Sequence, residues 1–415
     1  MKKTKHESKT NRHGVEKFPV LGLFKNVHMQ GAQKTEPRGV YGNTLSGAVC
    51  SATQQMGVFQ QSPGNPLIIP IFIMNSGCPH RCIFCNQNIT AGNYPQKITK
   101  DYFDAEINSY LTWNKDKSKK VEIAFYGGSF TGIDPAYQED LLSWAYSFIR
   151  KGIVNSLRIS TRPDYISDDK LQLLKKYNVT IIEIGAQSFA DNVLLSAQRG
   201  HNSDSIVNAL TILKNNGFQT GLHLMIGLPE DTKGGFIYSL DKTIELKPDT
   251  VRIHPVVVLS DTTLAKIFNE GKYKPLELSE AVELCRIAWE KLSAAGIRII
   301  RMGLHLTPGM IEDGSVLAGP VHPALGNLVL SSVFYNNTIK LLEKIAPDTE
   351  ELSFAVSNRD ASNFRGLNNA NISAIKTLYP HTNLIVKSLT GQPRGKISLT
   401  TNSGKSFNLN IPGII

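Results

Sequence analysis

Six short apolar runs, each followed by a stretch with helical spacing, succeed one another between Ile68 and Leu259. The runs read "IIPIFIM", "VEIAFYGG", "LRIST", "VTIIEIGAQ", "QTGLHLMIG" and "TVRIHPVVVL". Between them lie segments such as "KDYFDAEINSYLTW", "AYQEDLLSWAYSFIRKG", "SDDKLQLLKKYN" and "DSIVNALTILKNNG", with apolar residues three and four apart. Strand and helix in regular alternation predict an α/β fold, a parallel sheet with helices outside it. The strands are apolar on nearly every position, as parallel strands are when both faces are covered. Periodicity leaves an open barrel and a twisted sheet as alternatives.

The flanks have a different texture. Residues 1–65 are polar, basic and without period, which predicts a flexible N-terminal extension. The barrel-like repeat is expected over 66–306, with a connector and helix over 307–350. Strands "LSFAVS", "NLIVKSL", "GKISLTT" and "SFNLNI" around a helix "NISAIKTLY" predict a small, basic α+β accessory module over 351–415. A further helix, "LSEAVELCRIAWEKLSAAG", has a Ser near its start and ends at Gly296, and puts Val282, Cys285, Trp289 and Leu292 on one stripe. Cys285 is therefore expected to be a core thiol.

Charge separates the same regions. Of a formal net charge of +10, residues 1–66 hold nine Lys and Arg against three Asp and Glu, and residues 351–415 hold seven against two. The middle of the chain is close to neutral. Basic ends suit a polyanionic partner such as RNA, or serve only to solubilise. No apolar run is long enough to span a bilayer, and no apolar core follows the basic N-terminus in the manner of a secretory signal. A cytoplasmic protein with no membrane partner is expected.

Of five cysteines, Cys78, Cys82 and Cys85 fall within eight residues, directly after the first apolar run. An odd, clustered set is not a disulfide framework; it points to metal ligation or redox chemistry. Thiolates suit iron–sulfur clusters and structural zinc. Three protein ligands leave one iron of a four-iron cluster open, whereas the same thiols with His80 would make a closed Cys₃His zinc site. Cys50 has no thiol neighbour and is read as incidental.

Cys-x₃-Cys-x-Phe-Cys, placed after the first strand of a β/α repeat, resembles the motif of the radical S-adenosylmethionine (SAM) superfamily. The resemblance implies a partial (β/α)₆ TIM-like barrel and a [4Fe–4S] cluster on Cys78, Cys82 and Cys85. It also implies SAM chelated by the open iron and cleaved to a 5′-deoxyadenosyl radical. Further matches stand at successive strand ends, where ligand sites of such barrels gather. "FYGGSF" places Gly127 and Gly128 where backbone approaches the SAM ammonium. "EIGAQSF" and "SAQRGH" place Gln187 and Arg199 toward the ribose and carboxylate of SAM. "LHLMIGLPED" places Gly227 where the chain passes the nucleoside.

"YGGSFTGI", "TRPDYI", "QSFADNVLLSAQRGHN" and "RIHPVVVLSDTTLAKIFNEGKYKPL" are similar to the Elongator catalytic subunit and its bacterial relatives from about Pro70 to Leu306. That likeness implies tRNA or another RNA as partner and an electron donor such as flavodoxin or ferredoxin. The chain departs from the pattern in its shorter first cysteine gap and in Ser160, where relatives commonly carry Glu. No segment long enough for the Elongator subunit's acetyltransferase domain is expected after the barrel.

Residues 356–389 resemble a KH RNA-binding domain with "RGLNNAN" and Gly366 as its loop. Arg359, Arg365, Lys376, Lys387, Arg394 and Lys396 would supply phosphate contacts, and a β-rich lid on the barrel is the other reading. His254 and His322, each beside a Pro, have two readings, as residues lining the barrel mouth or as turn residues with satisfied rings, and neither is counted among the catalytic candidates. The expected function is radical SAM modification of RNA. The alternatives are a radical reaction on a small molecule such as a tetrapyrrole, like that of coproporphyrinogen oxidase, and a zinc-stabilised RNA binder without enzymatic activity.

Overall fold

The computed structural model describes residues 66–73, 77–78, 82–91, 95, 97–114, 116, 118–304, 308–346 and 349–414. The expected N-terminal extension, Cys50 and His80 lie outside them. The strands are β1 (Leu67–Phe72), β2 (Val121–Tyr126), β3 (Ser156–Thr161), β4 (Val179–Gln187), β5 (Gln219–Ile226), β6 (Thr250–Pro255), β7 (Val258–Leu259), β8 (Arg298–Met302), β9 (Val316–Ala318), β10 (Glu351–Ser357), β11 (Asn383–Leu389), β12 (Lys396–Thr401) and β13 (Ser406–Asn410).

Seven strands form one parallel sheet in the order β1-β2-β3-β4-β5-β6-β8, an open, curled partial barrel. Its first six members are the six apolar runs. The seventh, β8, reads "RIIRM": Ile299 and Met302 are buried, but two arginines in five residues mask the strand in the sequence.

Helices Lys100–Trp113, Pro135–Arg150, Asp168–Lys176, Ser203–Asn215, Lys233–Leu246 and Leu278–Ala294 fill the crossovers. Side chains of Thr99, Asp134, Asn202 and Thr232 cap four of them by accepting a backbone N–H in the first turn. Each such cap stabilises its helix by about 1 kcal/mol. Helix Leu278–Ala294 starts instead from a capping box between Glu277 and Glu280. One face of the sheet and the inner faces of these helices share a single core, including Ile123, Phe125, Ile159, Ile182, Leu224 and Ile253 against Phe103, Leu141, Leu174, Leu210 and Leu240. Cys285 is fully buried in it. Among the described residues no helix is long and apolar enough to cross a membrane.

Toward the C-terminus, β11-β10-β12-β13 form a mixed sheet, with β10 and β11 parallel and the other pairs antiparallel. Helix Leu325–Leu342 joins it to the barrel: Asn371 Nδ2 donates to Ser331 O at 3.0 Å. Fully buried Asp360 accepts from Arg394 Nε and Nη2 at 2.9 and 2.7 Å and from Gly395 N at 2.7 Å. Arg394 is thus committed inside this unit, whereas Arg359, Lys376 and Lys387 are exposed.

Candidate functional site

The cysteine loop leaves β1 at Ile73, whose N–H donates to Tyr126 O at 2.7 Å. Gly77, at φ +73°, packs directly on the Ser129–Ile133 backbone, and Gly132 faces it; a Cβ on either would fall inside the other strand of chain. Two glycines in contact let the loop cross the turn that follows β2. Beyond Cys82 the loop is tied to distant segments: Ile83 N donates to Ala197 O at 3.3 Å, Leu264 N to Ile83 O at 2.8 Å, and Asn86 Nδ2 to Ser260 O at 3.0 Å. The thiols therefore sit across the C-terminal ends of the strands, between segments that follow β1, β4 and β6.

Cys82 is buried, Cys78 half-buried and Cys85 exposed. Although residue 85 is exposed in surface terms, its thiol is pushed up to about 11, first by removal from water and then by the charges of Cys82 and Cys78. Among the described residues no group of three or more His, Cys, Asp or Glu side chains stands in metal-holding geometry. The assignment of these thiols to one metal centre rests on their spacing and surroundings.

Those surroundings are cationic. Arg199 is buried; Nη1 donates to Cys82 Sγ at 3.0 Å and Nη2 to Gly185 O at 2.5 Å, while Nε has no partner among the described residues. Arg162 is buried too, paired through Nε and Nη2 with Asp164 at 2.9 and 2.8 Å, with Nη1 unpartnered. Burial opposes its charge, but Asp164 and the charges of Cys78 and Cys82 keep its pKa raised. The His201 ring is buried, with Nδ1 3.9 Å from Asp164 Oδ1, and its pKa falls to about 3 through burial, Arg199 and Arg162, against the opposing pull of Asp164 and the Ala186 backbone. Buried guanidinium groups beside the thiols would offset the negative charge that metal-bound thiolates bring. The donor set therefore fits a thiolate-held, negatively charged cluster.

Gln187 ends β4 at φ +74°, and its Nε2 and Arg199 Nη2 would stand 3.2 and 3.4 Å from a Cβ on Gly185. The structure thus brings Cys82, Arg199 and Gln187 together around Gly185. Gly127 follows β2 directly at φ +98°, where a Cβ would come within 3.3 Å of the Ile73 backbone; Gly128 comes next. Ser129, Thr131 and Thr161 hydroxyls at 2.9 and 2.5 Å lock this turn to the end of β3. Gly227 stands apart, its near neighbour being Leu276 at 2.9 Å from the Cβ position; its carbonyl accepts from Tyr273 Oη at 2.6 Å.

The sequence reading missed what lies inside the sheet. Glu122, Arg158, Glu183, His223 and Arg252, on five successive strands, form one network. Arg158 Nη2 meets Glu122 Oε2 at 2.6 Å and Nη1 meets Glu183 Oε1 at 2.6 Å. Arg252 Nη2 meets Glu183 Oε1 at 3.0 Å and Tyr126 Oη at 2.5 Å, and His223 Nε2 meets Glu183 Oε2 at 2.8 Å. Despite complete burial, Glu183 is held well below the usual carboxylate range by Arg252, His223 and Arg158. His254 is no turn residue: it lies inside the sheet, its ring 6.1 Å from that of His223 and its Nδ1 3.2 Å from Gly303 O. His322 does act in a turn, accepting from Ala324 N at 3.1 Å. The signal was available as charged residues recurring at one face of otherwise apolar strands.

Comparison with known proteins agrees with this geometry. The tRNA uridine(34) acetyltransferase of Methanocaldococcus jannaschii is 25% identical over 290 residues, covering 60% of this chain and 52% of that protein. The oxygen-independent coproporphyrinogen-III oxidase-like protein HemZ of Bacillus subtilis is 25% identical over 234 residues, 54% of this chain and 46% of that one. The chain spans about half the length of the curated relatives it matches. A solved structure of Methanocaldococcus infernus Elp3, lacking its N-terminus, superposes with a TM-score of 0.51 at 20% identity, over 68% of this chain and 64% of that one. Radical SAM superfamily residues match at 72–242 and a Radical_SAM C-terminal domain at 248–333. Together these stretches make up more than half of the sequence, and the chain belongs to the radical SAM superfamily of enzymes.

Proposed function

We propose that Cys78, Cys82 and Cys85 hold a [4Fe–4S] cluster that binds SAM, and that the enzyme modifies RNA, with tRNA as the substrate class. The observation that carries the first part is the buried Arg199 guanidinium on Cys82 Sγ, in a chain of this family. When bound, the cluster and SAM supply an electron and a carbon radical able to abstract hydrogen. The chain's own part is placement. Arg199 and Arg162 offset thiolate charge, Gly127 and Gly128 let backbone approach the SAM ammonium, and Gln187 offers an amide at the end of β4. Gly227 keeps the segment after β5 free of a side chain. The electron comes from a small donor of the flavodoxin or ferredoxin class.

The RNA reading is supported by the curated relatives named tRNA uridine(34) acetyltransferase, by the likeness to Elongator complex protein 3 of Saccharomyces cerevisiae, and by the basic ends. Residues 351–415 form the accessory module in this reading, with Arg359, Lys376 and Lys387 facing phosphate. A cytoplasmic site of action goes with tRNA. The tetrapyrrole reading is favoured only by the HemZ match.

The test has two arms. tRNA binding should weaken steeply between about 50 and about 200 mM salt, by on the order of tenfold or more. Anaerobic incubation of tRNA with the reconstituted enzyme, SAM and reductant should then yield a nucleoside of altered mass. Salt-independent or absent tRNA binding, with no changed nucleoside, overturns the RNA reading.

A further inference from the structure

Parallel barrels normally fill their interior with apolar side chains in layers. Here the concave face of the sheet carries Glu122, Tyr126, Arg158, Glu183, His223, Arg252, His254 and Arg301. Two carboxylates meet three guanidinium groups, so one positive charge is left over. The hydrogen bonds show where it resides. Glu122 Oε2 is taken by Arg158 Nε and Nη2 at 3.2 and 2.6 Å. Glu183 Oε1 is shared by Arg158 and Arg252, and its Oε2 is taken by His223. Both oxygens of Glu183 are thus engaged and Glu122, on β2, is paired with Arg158, while Arg301 has no ion pair or hydrogen bond among the described residues.

Arg301 pairs in register with Arg252 across β6 and β8, so the two cations are neighbours. Arg252 is about nine-tenths buried, and its Nε has no partner. His254 stands between them and the end of the strand without adding charge, since burial, His223, Arg301 and Arg252 hold it well below the usual histidine range. Arg301 is the one of the three arginines whose pKa is lowered, by burial and then by Arg252; Arg158 and Arg252 are raised. Tyr126, His223, His254 and Arg301 all keep partial exposure although strands surround them, so water reaches this face. A half-buried cation with no paired carboxylate carries a desolvation cost that a bound anion would relieve.

We propose that Arg301 and Arg252, beside His254, form an anion-binding subsite inside the barrel that receives a carboxylate or phosphate group of the substrate. The word substrate rests on the radical SAM reading; the anion site itself does not. The site is separate from the cysteine loop, on the β6 and β8 side of the sheet. It would fix an anionic group at depth while the reacting atom faces the strand ends.

The probes are inorganic phosphate and acetate, added to the full chain at matched ionic strength with chloride as control, with and without reconstituted iron and sulfide. Thermal unfolding is read in each case. The wild type is expected to rise in Tm with one of the two anions beyond the chloride control, and which one responds tells phosphate from carboxylate. Arg301→Gln should weaken the apparent affinity by about tenfold or more. Without ligand it should melt no lower than wild type, because an uncompensated charge has gone. Arg298→Gln, on the exposed end of the same strand, should keep the full response. No response in wild type overturns the proposal, as does an unchanged response in a destabilised Arg301→Gln. Displacement of the anion by SAM also overturns it, since the subsite would then hold the cofactor. Because the response needs no cluster, its failure leaves the radical reading standing, and a missing cluster leaves the response readable.

Discussion

Arg199 Nη1 and Cys82 Sγ meet at 3.0 Å across 117 residues of sequence, with both groups buried. A hydrogen bond to a charged group is worth about 1.5–3 kcal/mol. Arg199→Met should therefore lower iron incorporation and make the remaining cluster harder to reduce, because a neighbouring cation favours the added electron. Arg199→Lys should restore part of both. Iron content and the midpoint potential check this; an unchanged potential in Arg199→Met would show that the contact does not reach the cluster.

Glu183 is the hub of the interior network, holding Arg158, Arg252 and His223 at once. Glu183→Gln leaves two buried guanidinium groups short of charge, and breaking a buried pair in this way costs about 3–5 kcal/mol. Denaturant unfolding should show that loss with an unchanged slope. A loss below about 1 kcal/mol would mean that water already screens the network.

Gly77 and Gly127 set the path of the cysteine loop, both at positive φ and both against backbone. Backbone cannot yield as a flexible side chain does, so Gly77→Ala should cost about 1–3 kcal/mol and displace the loop. The expected result is iron loss with the helix content of the barrel intact. Full iron content in Gly77→Ala would contradict the packing described.

Acid should destabilise the fold through its neutral histidines. His201 sits at about 3, and His223 and His254 are lowered, in each case by burial first. An unfolded histidine titrates near about 6.5, so below that pH the unfolded chain binds more protons and stability falls. Each histidine contributes a slope of at most about 1.4 kcal/mol per pH unit. Asp231 acts in the opposite sense: burial raises it to about 6, so the folded state takes its proton first and offsets one histidine as pH falls below about 6. Net stability should decline from pH about 7 to about 5, and His254→Gln should flatten the decline. A stability that holds or rises over that range would refute the assignment of neutral rings.

Much of the architecture was legible because six apolar runs alternate with helical spacing, and parallel strands announce themselves by continuous apolarity. Cys285 was legible for a similar reason, as one member of a helical stripe. β8 was not, since its two arginines break the pattern that the other strands share. The cysteine motif stood out because three thiols of five fall in eight residues, and Arg199 followed from its neighbours in "SAQRGH". Its bond to Cys82 could not be read, being a contact between two loops that only the curled sheet brings together. The choice between the two readings of His254 was open for the same cause: a His-Pro pair looks like a turn until its neighbours on β5 and β8 are in place. The Glu183 network depends on which face of each strand turns inward, and one sequence gives that parity without the partners, while Arg162 and His201 lie in loops that only the fold brings to the thiols.

The most direct test of the account is anaerobic reconstitution with iron and sulfide, followed by SAM and dithionite and an assay for 5′-deoxyadenosine. Wild type should yield a brown protein with about four irons per chain and form 5′-deoxyadenosine. Cys82→Ala should do neither, while Cys285→Ala should do both. A protein that takes up zinc and no iron–sulfur cluster under these conditions would contradict the account at its centre.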